Sequence, residues 1–305
     1  MRHIIVSNPY RSYGKWFKGE THFHTSLKSK RAPPPWKMIR AYRENKFDFV
    51  VKTDHNVFHA ELCDEMSNNN FLCISGIELR CNADKEIVFY PYREEIISED
   101  EISVISYQEA ISKVLKNSSN TIVQIAHPLA NGHLWTIEEI IQASKLGANL
   151  LEIHPRSYPI EEILEVWDTV LCKGIRLWGV IANDAHGIYD ETPERFGHIL
   201  VNSPRLDESE IIKNIRMGNF VSVEKGFEGM IEKIIVENNV IVIKSTGSRV
   251  EFHGSLSNGR RFQYSCNEEN CYYHVTGKEK YVRVVIYDHK DKRIFLQPMF
   301  ISSTK

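Results

Sequence analysis

Phe47-Asp48-Phe49-Val50-Val51-Lys52-Thr53-Asp54-His55-Asn56 runs apolar and β-branched through its middle and stops abruptly in Thr-Asp-His. A near-continuous apolar run of this length suits a strand of a parallel sheet, buried on both faces, and a polar cluster at its C-terminal end is where such sheets carry their chemistry. The same grammar recurs along the chain. Candidate strands are Phe71 to Ser75, Ile87 to Tyr90, Thr121 to Ile125, Leu150 to Ile153, Leu177 to Ile181 and His198 to Val201. Between them, Pro35 to Asn45, Ser106 to Lys116, Thr136 to Leu146, Pro159 to Lys173 and Asp207 to Arg216 show helical spacing, and Thr136 with Glu139 forms a capping-box pattern. This βαβα alternation predicts an α/β fold whose right-handed crossovers curl the sheet into a closed or nearly closed parallel barrel.

After about Gly226 the pattern becomes short alternating strands: Ile231 to Val236, Val240 to Lys244, Val250 to Ser255, Tyr272 to Val275, Tyr281 to Tyr287 and Ile294 to Phe300. Turn signals at Asn238-Asn239 and Ser257-Asn258-Gly259 separate them. The expectation is two domains, a barrel over residues 1–226 and a small antiparallel β-sandwich over 227–305, the latter a structural or dimerising appendage that could support a homo-oligomer.

At 305 residues and 42% hydrophobic, the chain can bury a substantial core. Its 38 basic and 40 acidic residues leave a net charge of -2, which offers no global field for polymeric nucleic acid or anionic membrane. The start, Met1-Arg2-His3-Ile4-Ile5-Val6, is too short for a signal peptide, and no run approaches the roughly 20 apolar residues that span a bilayer. A soluble, cytoplasmic protein is expected. The cysteines at 63, 73, 81, 172, 266 and 271 lack Cys-x-x-Cys spacing and read as reduced thiols, with a Cys266–Cys271 pair the minor alternative.

Polar clusters end the apolar runs: Glu20-Thr21-His22-Phe23-His24, Thr53-Asp54-His55, Gly76-Ile77-Glu78, Ala126-His127-Pro128, Glu152-Ile153-His154 and Asn183-Asp184-Ala185-His186. His22 and His24, two apart in an extended segment, project to the same side. Imidazole with carboxylate is the donor set for Zn²⁺, Mn²⁺ or Fe²⁺. A metal hydrolase site assembled at the strand ends is the reading these clusters favour.

In this order the clusters, over residues 17 to about 225, resemble the PHP superfamily of polymerase-associated and histidinol-phosphatase-type metal hydrolases. The tail from Tyr281-Val282-Arg283 to Gln297-Pro298-Met299 further resembles its stand-alone carbaryl-hydrolase-like branch with a C-terminal β domain. The resemblance implies a distorted seven-stranded (β/α)7 barrel with two or three divalent ions. It implies His22, His24, Glu78 and Asp184 on the first ion, Glu78 bridging to a second completed by His127 and His154, and His55 with His186 on a third. Glu20 stands where the family more often has Asp, and Lys28 and Lys30 stand where many relatives have a further ligand to the third ion.

The expected chemistry is hydrolysis through a bridging hydroxide whose pKa the ions lower. The favoured substrate is a small phosphorylated molecule or nucleotide, with Arg156, then Lys28, Lys30 and Arg31, neutralising phosphate oxygens. His55 or His186, where not a ligand, could protonate the leaving group. A carbamate, ester or amide hydrolase on the same site, and a non-enzymatic metal-binding module, remain alternatives. Leu134, Trp135 and Tyr189 could stack on a substrate ring or simply anchor loops.

Overall fold

The computed structural model describes residues 3–10, 14–102, 104–130, 132, 134–154, 156, 158–188 and 192–304. Strands β1 (His3–Ser7) and β2 (Lys15–Phe23) precede helix α1 (Pro35–Glu44), and β3 (Phe49–Lys52), α2 (Ala60–Met66), β4 (Leu72–Ser75), β5 (Ile77–Cys81) and β6 (Lys85–Tyr90) follow. The chain continues through α3 (Glu99–Ile102), α4 (Tyr107–Asn117), β7 (Ile122–Ile125), α5 (Ile137–Leu146), β8 (Leu150–Glu152), α6 (Ile160–Cys172) and β9 (Trp178–Val180). Next come β10 (Gly197–Ser203), α7 (Glu208–Arg216) and β11 (Phe220–Glu224). The last part is all β: β12 (Ile231–Glu237), β13 (Val240–Ser245), β14 (Arg249–Leu256), β15 (Arg261–Cys266), β16 (Asn270–His274), β17 (Glu279–Tyr287), β18 (Arg293–Leu296) and β19 (Met299–Thr304).

The five helices read from periodicity all form. Local chemistry sets their starts: Ser106 with Glu109 and Thr136 with Glu139 make reciprocal capping boxes, and Asp207 accepts from Glu210 N. The short, charge-rich α2 and α3 escaped the sequence reading, because one or two turns cannot establish a helical period.

The architecture is α/β with mixed sheets, and among the described residues no closed barrel is seen, which corrects the expected one. One sheet runs β1-β19-β17-β18-β11-β10-β2-β3-β4, with β14 and β15 attached; another runs β5-β6-β7-β8-β9; a third is β12-β13-β16. Parallel pairing is confined to β2-β3-β4 and β7-β8-β9, whereas β5-β6-β7 and β10-β2 are antiparallel. Two bridges cross the gaps at the C-terminal strand ends, Phe23 with Ala185 and His55 with Glu78.

The free edge of β9 is satisfied by side chains. Gly179 N donates to Gln297 Oε1 (2.8 Å), Gln297 Nε2 donates to Gly179 O (2.8 Å), and Ser222 Oγ accepts from Ile181 N (3.1 Å). These bonds substitute for a neighbouring strand's ladder. Beneath the strand ends, Phe49, Val51 and Ile74 from the first sheet pack with Val88, Tyr90, Ile122, Leu150 and Val180 from the second in one apolar cluster. Each such side chain contributes roughly 1.5–3 kcal/mol by leaving water, so this core holds the two sheets face to face and fixes where their ends converge.

The thiol expectation is corrected at four of the six cysteines and holds at Cys81 and Cys172, which are free. Cys63 pairs with Cys73, linking α2 to β4, and Cys266 pairs with Cys271, linking β15 to β16. Adjacent elements bring the Cα atoms to 4.8 and 5.8 Å, a proximity that depends on turn geometry rather than on spacing alone. No helix among the described residues is long and apolar enough to cross a membrane.

Candidate metal centre

His22 and His24 leave the end of β2 on the same face, and their Nε2 atoms stand 3.1 Å apart. His24 Nε2 is 2.9 Å from Asp184 Oδ1 and 3.2 Å from Glu78 Oε2, and His22 Nε2 is 3.2 Å from Glu78 Oε1. The four side chains offer donors all within 4.8 Å of one another, and all are buried. Two donors about 2.1 Å from a shared ion, at ordinary coordination angles, stand roughly 3 to 3.5 Å apart. Two imidazole nitrogens that face each other at this separation, ringed by carboxylate oxygens, fit a divalent ion. Buried His24 Nδ1 has no hydrogen-bond partner.

Electrostatics agree with a cation site. Burial by itself would depress His22, yet the carboxylates of Glu78, Glu152 and Asp184 hold its pKa well above the ordinary value. Burial likewise opposes the charge on His24, but Asp184 and Glu78 raise it to about 9. Glu78 and Asp184 are both held below the usual carboxylate range, because the facing histidines outweigh desolvation. A group of buried carboxylates that keep protons on their imidazoles is one that positive charge stabilises.

Two further clusters adjoin. His55, Glu78 and Glu86 bring donors within 4.8 Å, and so do His24, His55 and His186. His127 Nε2 lies 3.1 Å from Glu78 Oε1 and 3.2 Å from Glu86 Oε2, while His55 Nδ1 lies 2.9 Å from Glu78 Oε2. His186 stacks on His24 with ring centroids 4.1 Å apart, and burial followed by repulsion from His24 lowers its pKa to about 4. His154 is brought near but not into these groups. Its Nε2 donates to Glu152 Oε2 (3.0 Å), its ring stacks on Phe196, and burial lowers its pKa to about 4.

Backbone conformation marks the same places. His127 and Asp184 adopt φ of 25° and 45°, a region that costs a non-glycine residue on the order of 1–3 kcal/mol and clusters at functional sites.

The carboxylates behind the cluster escaped the sequence reading. Glu152 is fully buried and accepts from His22 Nδ1 (2.7 Å), Gln124 Nε2 (2.8 Å), His127 N (2.6 Å) and His154 Nε2. Its motif was visible, but attention fell on the histidine, although a residue two places earlier in a strand shares its face. Glu86 carried no motif at all. Glu20 accepts from the backbone of Thr21, His22 and Asn183 and from the Asn183 side chain, so it holds the chain around the ligands rather than a ring. Burial pushes it up to about 7. Asp54 accepts from Thr25 N and from buried Lys52 Nζ (2.9 Å), which ties the turn after His24 to the end of β3.

Arg156 Nη1 pairs with Asp184 Oδ2, which places a cation directly on the cluster. Lys28 pairs with Glu99 in an exposed bridge of 3.3 Å. Trp135 is a loop anchor, buried against Tyr107, and Leu134 is exposed. Tyr189 lies outside the described residues.

No protein-family model matches the chain, and no curated protein matches it. Among solved structures, it is similar to a two-domain protein from Bacteroides vulgatus ATCC 8482 that contains a predicted PHP-like metal-dependent phosphoesterase. That match has 14% identity and a TM-score of 0.54 over 97% of each chain. Weaker likenesses are to PsfC from Pseudomonas syringae PB-5123 (12%, 66% of this chain and 87% of that one, TM-score 0.42) and to a sulfate-bound amidohydrolase from Chromobacterium violaceum (12%, 57% and 89%, TM-score 0.39). The first likeness shows the fold: this chain is built on a PHP-like α/β fold with buried histidine and carboxylate clusters where its strands end.

Proposed function

We propose that this protein is a metal-dependent phosphoesterase acting on a small phosphorylated molecule or nucleotide. One arrangement carries the reading: His22, His24, Glu78 and Asp184 form a buried four-donor set, and the guanidinium of Arg156 abuts Asp184 at its rim. Divalent ions held there would supply Lewis acidity toward the oxygens of the scissile group. The chain's own residues supply the remainder. Arg156 is half-buried, and its guanidinium has five N–H donors, so those beyond Asp184 are placed to receive non-bridging phosphate oxygens, the task for which a planar fork is suited. His55 and His186 are also partly exposed at the mouth of the cluster. Burial, then His24, keeps His186 neutral at pH 7, so its role there is that of a ligand or a base.

Chromogenic phosphate monoester, phosphate diester and carboxyl ester substrates, assayed with Mn²⁺ and Zn²⁺, test this directly. Turnover of a phosphate ester that disappears in the His22→Ala, His24→Ala variant along with its bound metal is the expected result. A chain that hydrolyses only the carboxyl ester, or a double variant that binds as much metal as the parent, overturns it.

A further inference from the structure

We infer that Glu86 is a metal ligand, and that the second ion rests on Glu78, Glu86, His127 and His55. The inference rests on the metal-hydrolase reading above and deepens it by naming a further ligand.

The β5–β6 hairpin brings the two glutamates together. Its register sets Glu78 opposite Val88 and Arg80 opposite Glu86, so Glu78 and Glu86 are diagonal neighbours on one face of the sheet. Both carboxylates are buried, while Arg80 on the same face is exposed. Glu86 Oε2 stands 3.2 Å from His127 Nε2, Glu78 Oε1 stands 3.1 Å from the same nitrogen, and His55 Nδ1 stands 2.9 Å from Glu78 Oε2. Together with the convergence of His55, Glu78 and Glu86, these are the separations of donors that share an ion.

Replacing the Glu86 carboxylate by an imidazole would soften the donor set, and softer donors suit Zn²⁺ over Mn²⁺.

Metal content by elemental analysis after Mn²⁺ or Zn²⁺ loading, with titration calorimetry of each ion, decides the matter without reference to turnover. Glu86→Gln is expected to hold one ion fewer per chain, with a loss of Mn²⁺ affinity beyond the roughly 10- to 100-fold that an outer partner's removal causes. Glu86→His, which restores a donor and controls for folding, should regain the ion but shift preference toward Zn²⁺. If Glu86→Gln and Glu86→His both match the parent in ion count and preference, the assignment is wrong. Ion binding that follows the expected pattern in a chain that turns over no phosphate ester would sink the phosphoesterase reading and leave this one standing.

Discussion

His22 Nδ1 lies 2.7 Å from Glu152 Oε1, and both side chains are wholly buried. The contact fixes the imidazole orientation: the Nδ1 proton faces the carboxylate, and Nε2 faces His24, Glu78 and Asp184, so the Nε2 proton is the one an ion would displace. Glu152 stays ionised in this role, because His22 overrides desolvation and holds its pKa at about 2.

Removing that acceptor charge should loosen the ligand without removing it. Glu152→Gln is expected to weaken binding of the first ion by about 10- to 100-fold while the fold persists. Calorimetric titration with Zn²⁺ and far-UV circular dichroism check it; an unchanged affinity would mean that His22 is oriented by packing alone.

Ion binding should release protons. Without an ion, His24 keeps its proton until about pH 9, so at neutral pH an incoming cation must displace it. Affinity is therefore expected to rise with pH from neutral through about 9. Calorimetry in buffers of differing ionisation enthalpy reads the proton count, and a count of zero at pH 7 contradicts the raised value.

Asp168 on α6 accepts from Arg283 Nε and Nη2 on β17, both at 2.7 Å, and from Tyr281 OH at 2.9 Å. Asp168→Asn leaves the buried guanidinium uncompensated and should cost roughly 3–5 kcal/mol. The Asp168 carboxyl is held below its ordinary value, Arg283 outweighing desolvation. Its stabilisation is therefore complete above the unfolded value of about 3.9 and lost as pH falls through the lower folded one. Urea melts across pH 2 to 7 should show the difference between parent and variant shrinking only at the acid end.

Gln297 closes the edge of β9 with two bonds to Gly179. Gln297→Leu keeps the bulk and strands the buried N–H of Gly179, at roughly 1–3 kcal/mol, while the Gly179 carbonyl keeps its bond from Ser222 Oγ. A denaturation midpoint within experimental error of the parent's would show that the edge finds other partners.

Much of the site was legible because it is local. An apolar run that ends in a polar cluster fixes where a strand stops, and alternation fixes which residues share a side, so His22, His24, Glu78 and Asp184 could be named from the chain alone, as could the five longer helices with their caps. What those rules do not contain is a partner across the sheet. Glu152 meets His22 over a separation of 130 residues, and Arg156 meets Asp184, through the register of different sheets and the packing of the core between them. Glu86 reaches the cluster only because a hairpin folds it diagonally onto Glu78. Closure of the barrel was decided in the same way: Gln297 and Ser222 occupy the edge of β9, and no pattern within β9 announces that side chains from more than forty residues away will take the place of a strand. Sequence determined which groups stand at the strand ends, since backbone geometry is set residue by residue. Tertiary structure decided which of them meet, since that depends on how sheets distant in the chain settle around a shared core.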